Sequence, residues 1–211
     1  SIMLEGTSTK AYTSGGRGIE SLFTEWIIKS LKKGGEANII LPDGIFTNIA
    51  NNRLKQFILD NCFIESIISL PVGTFFNTPK KTYILTLHKR TDAEKGQTQP
   101  YPVYGYLCST IGETLDSYRF DIDESDLKDA VDLYTLYKTN KSHSMVQNAI
   151  KDNPRAKLLK IDSFGKDDNW DINLQWTDKE KEDLGIKKKD NIMTVDEFNS
   201  YVGELIDDIK N

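Results

Sequence analysis

Residues 63–89 read FIESIISLPVGTFFNTPKKTYILTLHK, two largely apolar segments joined by a loop of turn-forming residues. Phe63 to Leu70 is the first apolar run and is closed by Pro71, and Thr82 to His88 is the second. Runs of this length and composition are typical of strands buried in a sheet. Only about eleven residues separate them, which is short for a helical crossover, so the pattern predicts an antiparallel pair.

Upstream of this pair the chain alternates helix and strand. Helical spacing of apolar residues predicts a helix over Ile19–Leu31 with one wide buried stripe, and Ala37–Leu41 reads as a strand buried on both faces. Asn52–Asn61 is a short helix, and Pro102–Cys108 is expected as a further strand at an edge. The order predicts an α/β fold, the later half of a doubly wound, mostly parallel sheet with an antiparallel final strand pair.

The rest of the chain is more polar and mainly helical in pattern. Helical spacing marks Ser125–Tyr137 and Met145–Lys151, and Lys157–Ile161 is expected as a short strand. A capping box, Thr194 with Glu197, precedes an apolar seam that ends at Ile209 and predicts a C-terminal helix.

These patterns divide the chain into three parts. Residues 1–17 read as a flexible start, residues 18–111 as the C-terminal half of an α/β domain, and residues 112–211 as a mainly helical tail or connector. Charge is also divided, because residues 1–90 hold 11 Lys and Arg against 7 Asp and Glu whereas the whole chain has a net charge of −5. A basic front and an acidic back suggest two different surfaces.

Composition excludes several classes of protein. No apolar run approaches the roughly 20 residues that a membrane span needs, and no signal peptide pattern is present, so the cytoplasm is the expected location. Cys62 and Cys108 lie in apolar runs and are expected as small buried side chains. His88 and His143 lack neighbouring metal ligands, so no metal site is expected.

Candidate binding residues follow the strand ends, because open α/β sheets bind ligands outside the carboxyl ends of their strands. Two Pro-containing turns stand there, Leu41-Pro42-Asp43-Gly44 and Leu70-Pro71-Val72-Gly73. Phe46 follows the first turn and is more simply explained as a core residue, whereas adjacent Phe75 and Phe76 cannot easily share one core. Lys80 and Lys81 follow directly, and alternating rings and cations can stack bases and hold phosphates.

Two stretches resemble one enzyme family. IESLFTEWIIKSLKKGGEANIILPDGIF (19–46) runs from a helix through a Lys-Gly-Gly turn into a strand ending in Leu-Pro-Asp-Gly. FIESIISLPVGTFFNTPKKTYILTLHK (63–89) has a strand ending in Leu-Pro-x-Gly-x-Phe, followed by Lys-Thr and another strand. Over about 70 residues this order resembles the catalytic domain of adenine-N6 DNA methyltransferases, especially the modification subunits of type I restriction-modification systems and related fused enzymes.

The resemblance implies a fold and a reaction. The fold is the later half of a Rossmann-like, S-adenosylmethionine-dependent methyltransferase sheet, and the reaction transfers a methyl group to N6 of a flipped-out adenine. The family's Gly-rich donor loop and its Asn-Pro-Pro-aromatic loop precede the matched stretch, and neither occurs in these 211 residues. The resemblance therefore implies that S-adenosylmethionine serves the full-length enzyme, that this part binds no cofactor, and that it has no catalytic residue and is inactive alone.

The resemblance also assigns roles to residues of this chain. Phe75 or Phe76 would stack on the extruded base, with the choice left open because the loop is about one residue shorter than in many relatives. Lys80, Lys81 and Thr82 would touch a DNA phosphate or fix the loop. The rim of the pocket would be formed by Pro42, Asp43, Gly44, Phe46, Pro71 and Gly73.

The implied partners are DNA and a DNA-specificity subunit or domain, with a restriction subunit as a further partner. An alternative from another class is a protein-interaction module, in which the acidic tail and the seam from Val195 to Ile209 dock the specificity subunit. Another alternative is half of a different Rossmann-like methyltransferase, for instance one acting on RNA. Trp170 and Trp176 could anchor a partner, but we expect them to pack onto the domain.

Overall fold

The computed structural model describes residues 14–16, 18–76, 78–116 and 118–187. Most of the predicted flexible start lies outside these residues. So do the predicted capping box, Thr194 with Glu197, and the apolar seam that follows it. None of the described helices has both the length and the apolar character that a membrane crossing requires.

A mixed five-stranded sheet forms the centre of the described chain. Its strands are β1 (Glu36–Pro42), β2 (Cys62–Ser69), β3 (Thr82–Lys89), β4 (Val103–Leu107) and, numbered after a separate hairpin, β7 (Ala156–Leu159). The order is β1-β3-β2-β4-β7, in which β2 and β4 are parallel and the other neighbours are antiparallel. The predicted antiparallel pairing of β2 with β3 is confirmed, and β1, β2 and β4 run in one direction.

Helices cover both faces of this sheet, and a small hairpin lies beside it. The helices are α1 (Ile19–Ser30), α2 (Asp43–Thr47), α3 (Asn52–Asn61), α4 (Asp126–Thr139), α5 (Ser144–Lys151) and α6 (Asp178–Asp183). Three short 3-10 turns span Ile49–Asn51, Ile161–Ser163 and Ile172–Gln175. The hairpin pairs β5 (Ile111–Glu113) with β6 (Asp121–Ser125). The sequence-predicted helices beginning near residues 19, 52, 125 and 145 are all confirmed within one residue at their starts.

The sheet separates two apolar cores, because successive side chains of a strand point to opposite faces. On β4, Val103 and Leu107 join the core that also holds residues of α1 and α3. Tyr104 and Tyr106 point the other way, into the core that α4 and α5 cover. The α/β class predicted from the sequence is therefore confirmed as a helix–sheet–helix arrangement.

β1 and β4 have positions opposite to those expected. β4 was expected at an edge, yet all five of its residues are buried, because β7 adds to the sheet beyond it. β1 was expected to be buried on both faces, yet it is the terminal strand of the described sheet and Ile40 is 53% exposed. β4 is internal because the tail contributes β7, and the sequence around β4 contains no sign of this distant partner.

The helix α1 also buries a different face from the expected one. Its apolar residues Ile19, Phe23 and Trp26 are each at least half exposed. The buried positions include Ser21, whose hydroxyl donates to Asn51 Oδ1 at 3.0 Å. Glu25 is also fully buried and accepts from Lys29 Nζ at 2.6 Å. These partners make a polar face tolerable in the interior, so the helix was predicted correctly and its buried stripe was not.

The described part of the tail packs onto the main sheet. It supplies β7 to the main sheet and the hairpin of β5 and β6. Trp170 and Trp176 are buried in the core of α1 and α3, with Nε1 of each donating to a backbone carbonyl. The expectation that both tryptophans pack onto the domain is confirmed, and the predicted boundary near residue 112 stays a prediction.

Candidate functional site

Three strand ends meet at one edge of the main sheet. β1, β2 and β4 run in one direction, and their last residues are Pro42, Ser69 and Leu107. β3 begins at the same edge, because Thr82 pairs with Pro42 and Tyr83 pairs with Ser69. The two Pro-containing turns therefore lie on either side of the start of β3, at the edge where open α/β sheets bind ligands.

The loop after β2 presents two phenylalanines to solvent. Pro71 is buried at its start, and its carbonyl accepts from the backbone N–H and the hydroxyl of Thr74, at 3.3 and 2.7 Å. Gly73 has a φ of +86°, which residues with a side chain rarely adopt. Beyond this turn Phe75 is 37% exposed and Phe76 is 84% exposed. Both rings are thus at the surface, and their stacking on a base stays a prediction.

The basic residues after the loop differ in exposure. Lys80 is exposed, whereas Lys81 is partly buried and its Nζ lies 5.9 Å from the centre of the Tyr83 ring. Burial lowers the pKa of Lys81, and the Asp171 carboxylate opposes that shift. Thr82 is buried, and its hydroxyl has no hydrogen-bond partner among the described residues. Lys80 is therefore free to reach a phosphate, while Lys81 and Thr82 lie nearer the interior.

The first turn is held close to the second by β3. The backbone N–H of Asp43 donates to the Lys81 carbonyl at 3.0 Å. Pro42, Asp43 and Gly44 are half-buried, which leaves part of each accessible at this edge. Phe46 is fully buried, so a place at the rim of a pocket is wrong for this residue.

Phe46 has a structural position instead. Its ring lies 4.6 Å from that of Tyr83, centre to centre, and its backbone carbonyl accepts from the Trp170 N–H at 3.0 Å. The ring fills the core beneath the first turn because α2 turns it inward, as expected for an apolar residue in a short amphipathic helix.

A polar cluster under the strand ends was missed by sequence reasoning. The Tyr83 hydroxyl donates to Asp171 Oδ1 at 2.8 Å, and Asn173 Nδ2 donates to the Tyr83 oxygen at 3.0 Å. The Ser69 hydroxyl donates to Asn173 Oδ1 at 3.2 Å. Burial and the Asp171 carboxylate raise the pKa of Tyr83. The Asp171 side chain also accepts from the Asn173 N–H and so begins a 3-10 turn. The sequence pattern of such a turn is local, so it could have indicated the turn itself but not its contact with β3.

The arrangement suits a flat, apolar-faced ligand attached to an anionic backbone. Exposed aromatic rings offer stacking surfaces, and exposed Lys80 offers a charge that can pair with a phosphate. Among the described residues no group of three or more His, Cys, Asp or Glu side chains could hold a metal ion. A cleft of about 670 Å³ between β7 and α6 contains none of the predicted site residues.

Fold and site together define a Rossmann-like α/β protein with exposed aromatic residues beside its strand carboxyl ends. Residues 14–157 match the N-6 DNA Methylase family, and the chain belongs to that family. The match includes both Pro-containing turns, the loop between β2 and β3, and the hairpin of β5 and β6.

Similar proteins are methylase subunits. Over 76 residues the chain is 32% identical to the type I restriction enzyme EcoKI methylase subunit of Escherichia coli (strain K12), a match covering 36% of this chain and 14% of that subunit. It is 31% identical over 70 residues to the StySJI methylase subunit of Salmonella typhimurium (strain LT2), covering 33% of this chain and 13% of that subunit. The matched part of the chain thus spans only about a seventh of these relatives' length.

A solved structure extends the similarity to almost the whole chain. It describes complex assembly and conformational transition of the type I R-M system, and the match covers 91% of this chain and 39% of that one. The TM-score is 0.54 at 18% identity. This likeness concerns the fold.

Proposed function

We propose that this chain forms the target-base half of an adenine-N6 DNA methyltransferase of a restriction-modification system. The observation that carries the proposal is the loop after β2, which holds Phe75 and Phe76 exposed beside the carboxyl ends of β1 and β2. Membership of the N-6 DNA Methylase family supports the reaction class, and the similarity to type I methylase subunits supports the biological system.

The proposed contacts follow from the chemistry of a flipped base. An adenine must leave the duplex before an enzyme reaches its amino group, and the extruded ring needs a new stacking surface. Base–aromatic stacking contributes about 1–3 kcal/mol per base. In the proposal Phe75 or Phe76 supplies that surface, Lys80 pairs with a neighbouring phosphate, and Lys81 and Thr82 hold the loop. Pro42, Asp43 and Gly44 then form one rim of the pocket and Gly73 the other, while Pro71, which is buried, begins the loop below that rim.

The methyl donor belongs to another part of the proposed enzyme. S-adenosylmethionine would supply the methyl group, but the chain contains neither a Gly-rich donor loop nor an Asn-Pro-Pro-aromatic loop. The residues present do not fit the donor, and we assign no step through it to this chain. Methyl transfer requires donor and amino group to be held together, so we propose that the chain alone is inactive.

Uncovered apolar surface supports a missing half. Ile19, Phe23 and Trp26 form an exposed face of α1, with 50%, 56% and 53% of their surface accessible. Ile40 on the terminal strand β1 is 53% exposed. Contiguous apolar surface of this kind is a common mark of an interface. We propose that the donor-binding half covers the α1 face and continues the sheet beyond β1.

The complete enzyme would act on DNA in the cytoplasm. We propose a DNA-specificity subunit or domain as its partner, with a restriction subunit as a further one. The support is that similar proteins are subunits of type I restriction enzymes, and that a chain of similar fold occurs in a type I R-M assembly.

Binding of a fluorescent oligonucleotide tests the stacking role. A short single strand containing 2-aminopurine, an adenine analogue whose emission falls on stacking, is titrated with the chain. Replacing both phenylalanines, F75A/F76A, should weaken binding about 10- to 100-fold and abolish the quenching, because the stacking surface is lost. The control is Val72→Ala, which trims another exposed apolar residue of the same loop.

The outcome is read against that control. Equal weakening by Val72→Ala and by F75A/F76A would indicate general loss of apolar surface and contradict the stacking role. Calorimetric titration with S-adenosylmethionine should show no binding, and a clear binding heat would contradict the division of the site between two halves.

A further inference from the structure

A single arginine connects two segments that are far apart in sequence. Arg119 lies in the turn of the hairpin formed by β5 and β6, and its side chain reaches the loop after β2. Its Nη2 donates to the carbonyl oxygens of Gly73 and, at 3.2 Å, Thr74. Its Nη1 donates to the carbonyl of Thr114 at 2.9 Å within the hairpin. The Thr74 carbonyl belongs to the peptide bond that leads directly to Phe75.

These contacts require the shape of a guanidinium group. Arginine presents five N–H donors in a planar fork, whereas lysine has one compact ammonium. Nη1 of Arg119 donates to the hairpin and Nη2 donates to the loop, so one planar group bridges the two segments. Hydrogen bonds from a charged donor are also about twice as strong as neutral ones.

The hairpin that carries the arginine has a defined turn. The hydroxyl of Thr114 donates to the Tyr118 carbonyl at 3.1 Å, and its oxygen accepts from the Phe120 N–H at 3.1 Å. The Thr114 N–H donates to the Phe120 carbonyl at 2.9 Å. A Cβ placed on Gly73 would lie 3.4 Å from the Leu115 carbonyl oxygen, so the turn and the loop pack in direct contact.

The base of the hairpin is attached to the main body of the domain. Asp126, the first residue of α4, accepts from the backbone N–H groups of Ser109 and Thr110 at 2.6 and 3.0 Å. Its other oxygen lies 3.2 Å from Arg155 Nε. The hairpin is therefore fixed at its base by Asp126 and contacts the loop through Arg119 at its turn.

The loop has few restraints of its own. Its described internal backbone hydrogen bonds join Thr74 to Pro71 and Thr78 to Phe75, each across three residues. Such turns define local shape but do not orient the loop against the sheet. The contacts from Arg119 do so immediately before Phe75, and they come from a segment 45 residues away.

Charge argues against a phosphate-binding role for this arginine. Residues 111–125 carry Glu113, Asp116, Asp121, Asp123 and Glu124 against Arg119 alone. Such an acidic surface would repel the DNA backbone. The described partners of Arg119 are backbone carbonyls of the protein itself.

We infer that Arg119 is a positioning residue for the target-base site, fixing the loop so that Phe75 and Phe76 are held at the strand ends. This inference rests on the proposed function, because the loop is the proposed stacking surface. The hairpin of β5 and β6 is then part of the methylation site although none of its side chains need touch DNA.

Amide hydrogen exchange tests the fixed loop without DNA. In Arg119→Ala, exchange of the Thr74 and Thr78 amides, which donate the loop's described backbone hydrogen bonds, should accelerate about tenfold or more, because the loop loses the charged donor that holds it in one conformation. Lys128→Ala is the control, since it also removes one positive charge but from an exposed side chain of α4. Arg119→Lys should give an intermediate rate. Unchanged exchange in β2 and β3 shows that the fold is intact, and unchanged loop exchange in Arg119→Ala would overturn the inference.

A double-mutant cycle tests whether Arg119 acts through the phenylalanines. Arg119→Ala should weaken binding of the 2-aminopurine oligonucleotide about tenfold in the unsubstituted chain and have little further effect in F75A/F76A. Equal effects in both backgrounds would show that Arg119 acts on the nucleic acid independently and would overturn the positioning role. If the unsubstituted chain fails to bind the oligonucleotide, the proposed function is contradicted, while the exchange comparison still decides whether Arg119 fixes the loop.

Discussion

Phe46 and Phe76 follow similar Pro-containing turns but lie in opposite surroundings. Phe46 is fully buried against Tyr83, whereas Phe76 is 84% exposed. Phe46 lies on the buried face of α2, whereas Phe76 lies in an irregular loop beyond the left-handed turn at Gly73. One phenylalanine therefore stabilises the fold, and the other is available for binding.

This contrast predicts different costs for the same substitution. Phe46→Ala should lower the free energy of unfolding by about 3–5 kcal/mol, because it leaves a cavity in the core. Phe76→Ala should change it by no more than about 0.5 kcal/mol, as is usual for exposed positions. Urea denaturation measures both values. A large loss of stability in Phe76→Ala would mean that this ring supports the fold rather than a ligand.

At the scale of elements, the segment after β7 acts as a support beneath the strand ends. Trp170 joins it to α2 through the Phe46 carbonyl, and Lys55 of α3 donates to the Asp168 carbonyl at 2.7 Å. Burial lowers the pKa of Lys55, and Asp168 opposes that shift. Asp171 then reaches Tyr83 at the start of β3. The segment thus fixes the inner side of the edge where β1 and β2 end.

We expect removal of the tryptophan to release this segment. Trp170→Ala should destabilise the protein by about 3–5 kcal/mol, since the side chain is fully buried and its Nε1 donates to Gly165. Limited proteolysis should then cleave between residues 160 and 175 much faster than in the unsubstituted chain. Leu174→Ala, at an exposed site in the same segment, is the matched control. Similar cleavage of both variants would contradict a fixing role for Trp170.

The buried cysteine thiols and tyrosine hydroxyls of the whole molecule predict that its stability decreases at high pH. Burial raises the pKa of the Cys62 and Cys108 thiols to about 12. Burial likewise raises the pKa of Tyr83, Tyr101, Tyr104, Tyr106, Tyr134 and Tyr137. In the unfolded chain thiols ionise near pH 8.5 and tyrosines near pH 10. Above these values the unfolded state binds fewer protons than the folded state.

The sign of the effect follows from that proton difference. The stabilisation that the buried thiols and tyrosine hydroxyls contribute is complete below about pH 8.5. As the pH rises further, it decreases by up to about 1.4 kcal/mol per pH unit for each of these groups. The lowered pKa values of Lys55 and Lys81 act in the opposite direction, but two amines oppose eight acidic groups. We therefore expect the urea concentration at the unfolding midpoint to decrease as the pH is raised from 9 to 11.

A tyrosine variant checks the cause. The stability of Tyr104→Phe should decrease less steeply with pH than that of the unsubstituted chain. The variant lacks one buried hydroxyl group that would ionise when the chain unfolds at high pH, so the slope loses the contribution of one group. Tyr118→Phe, at a position 80% exposed, should retain the slope of the unsubstituted chain. Stability that is constant from pH 8 to pH 11 would contradict the role assigned to the buried tyrosines.

Elements that depend only on neighbouring residues were predictable from the amino-acid sequence. Periodicity located α1, α3, α4 and α5, and the short link after Pro71 determined that β2 and β3 pair antiparallel. Turn chemistry placed Phe75 and Phe76 in a surface loop. These features were predictable because helix period, strand length and turn formation are local properties of the chain.

Which surfaces are covered depends instead on how distant segments pack together. β7 joins β4 from about 50 residues downstream and makes β4 internal, while β1 ends the described sheet with Ile40 exposed. The contacts of Arg119 with the loop and of Asp171 with Tyr83 likewise join distant segments. Burial and long-range hydrogen bonds depend on how separate elements pack, and a local pattern contains no information about its partner.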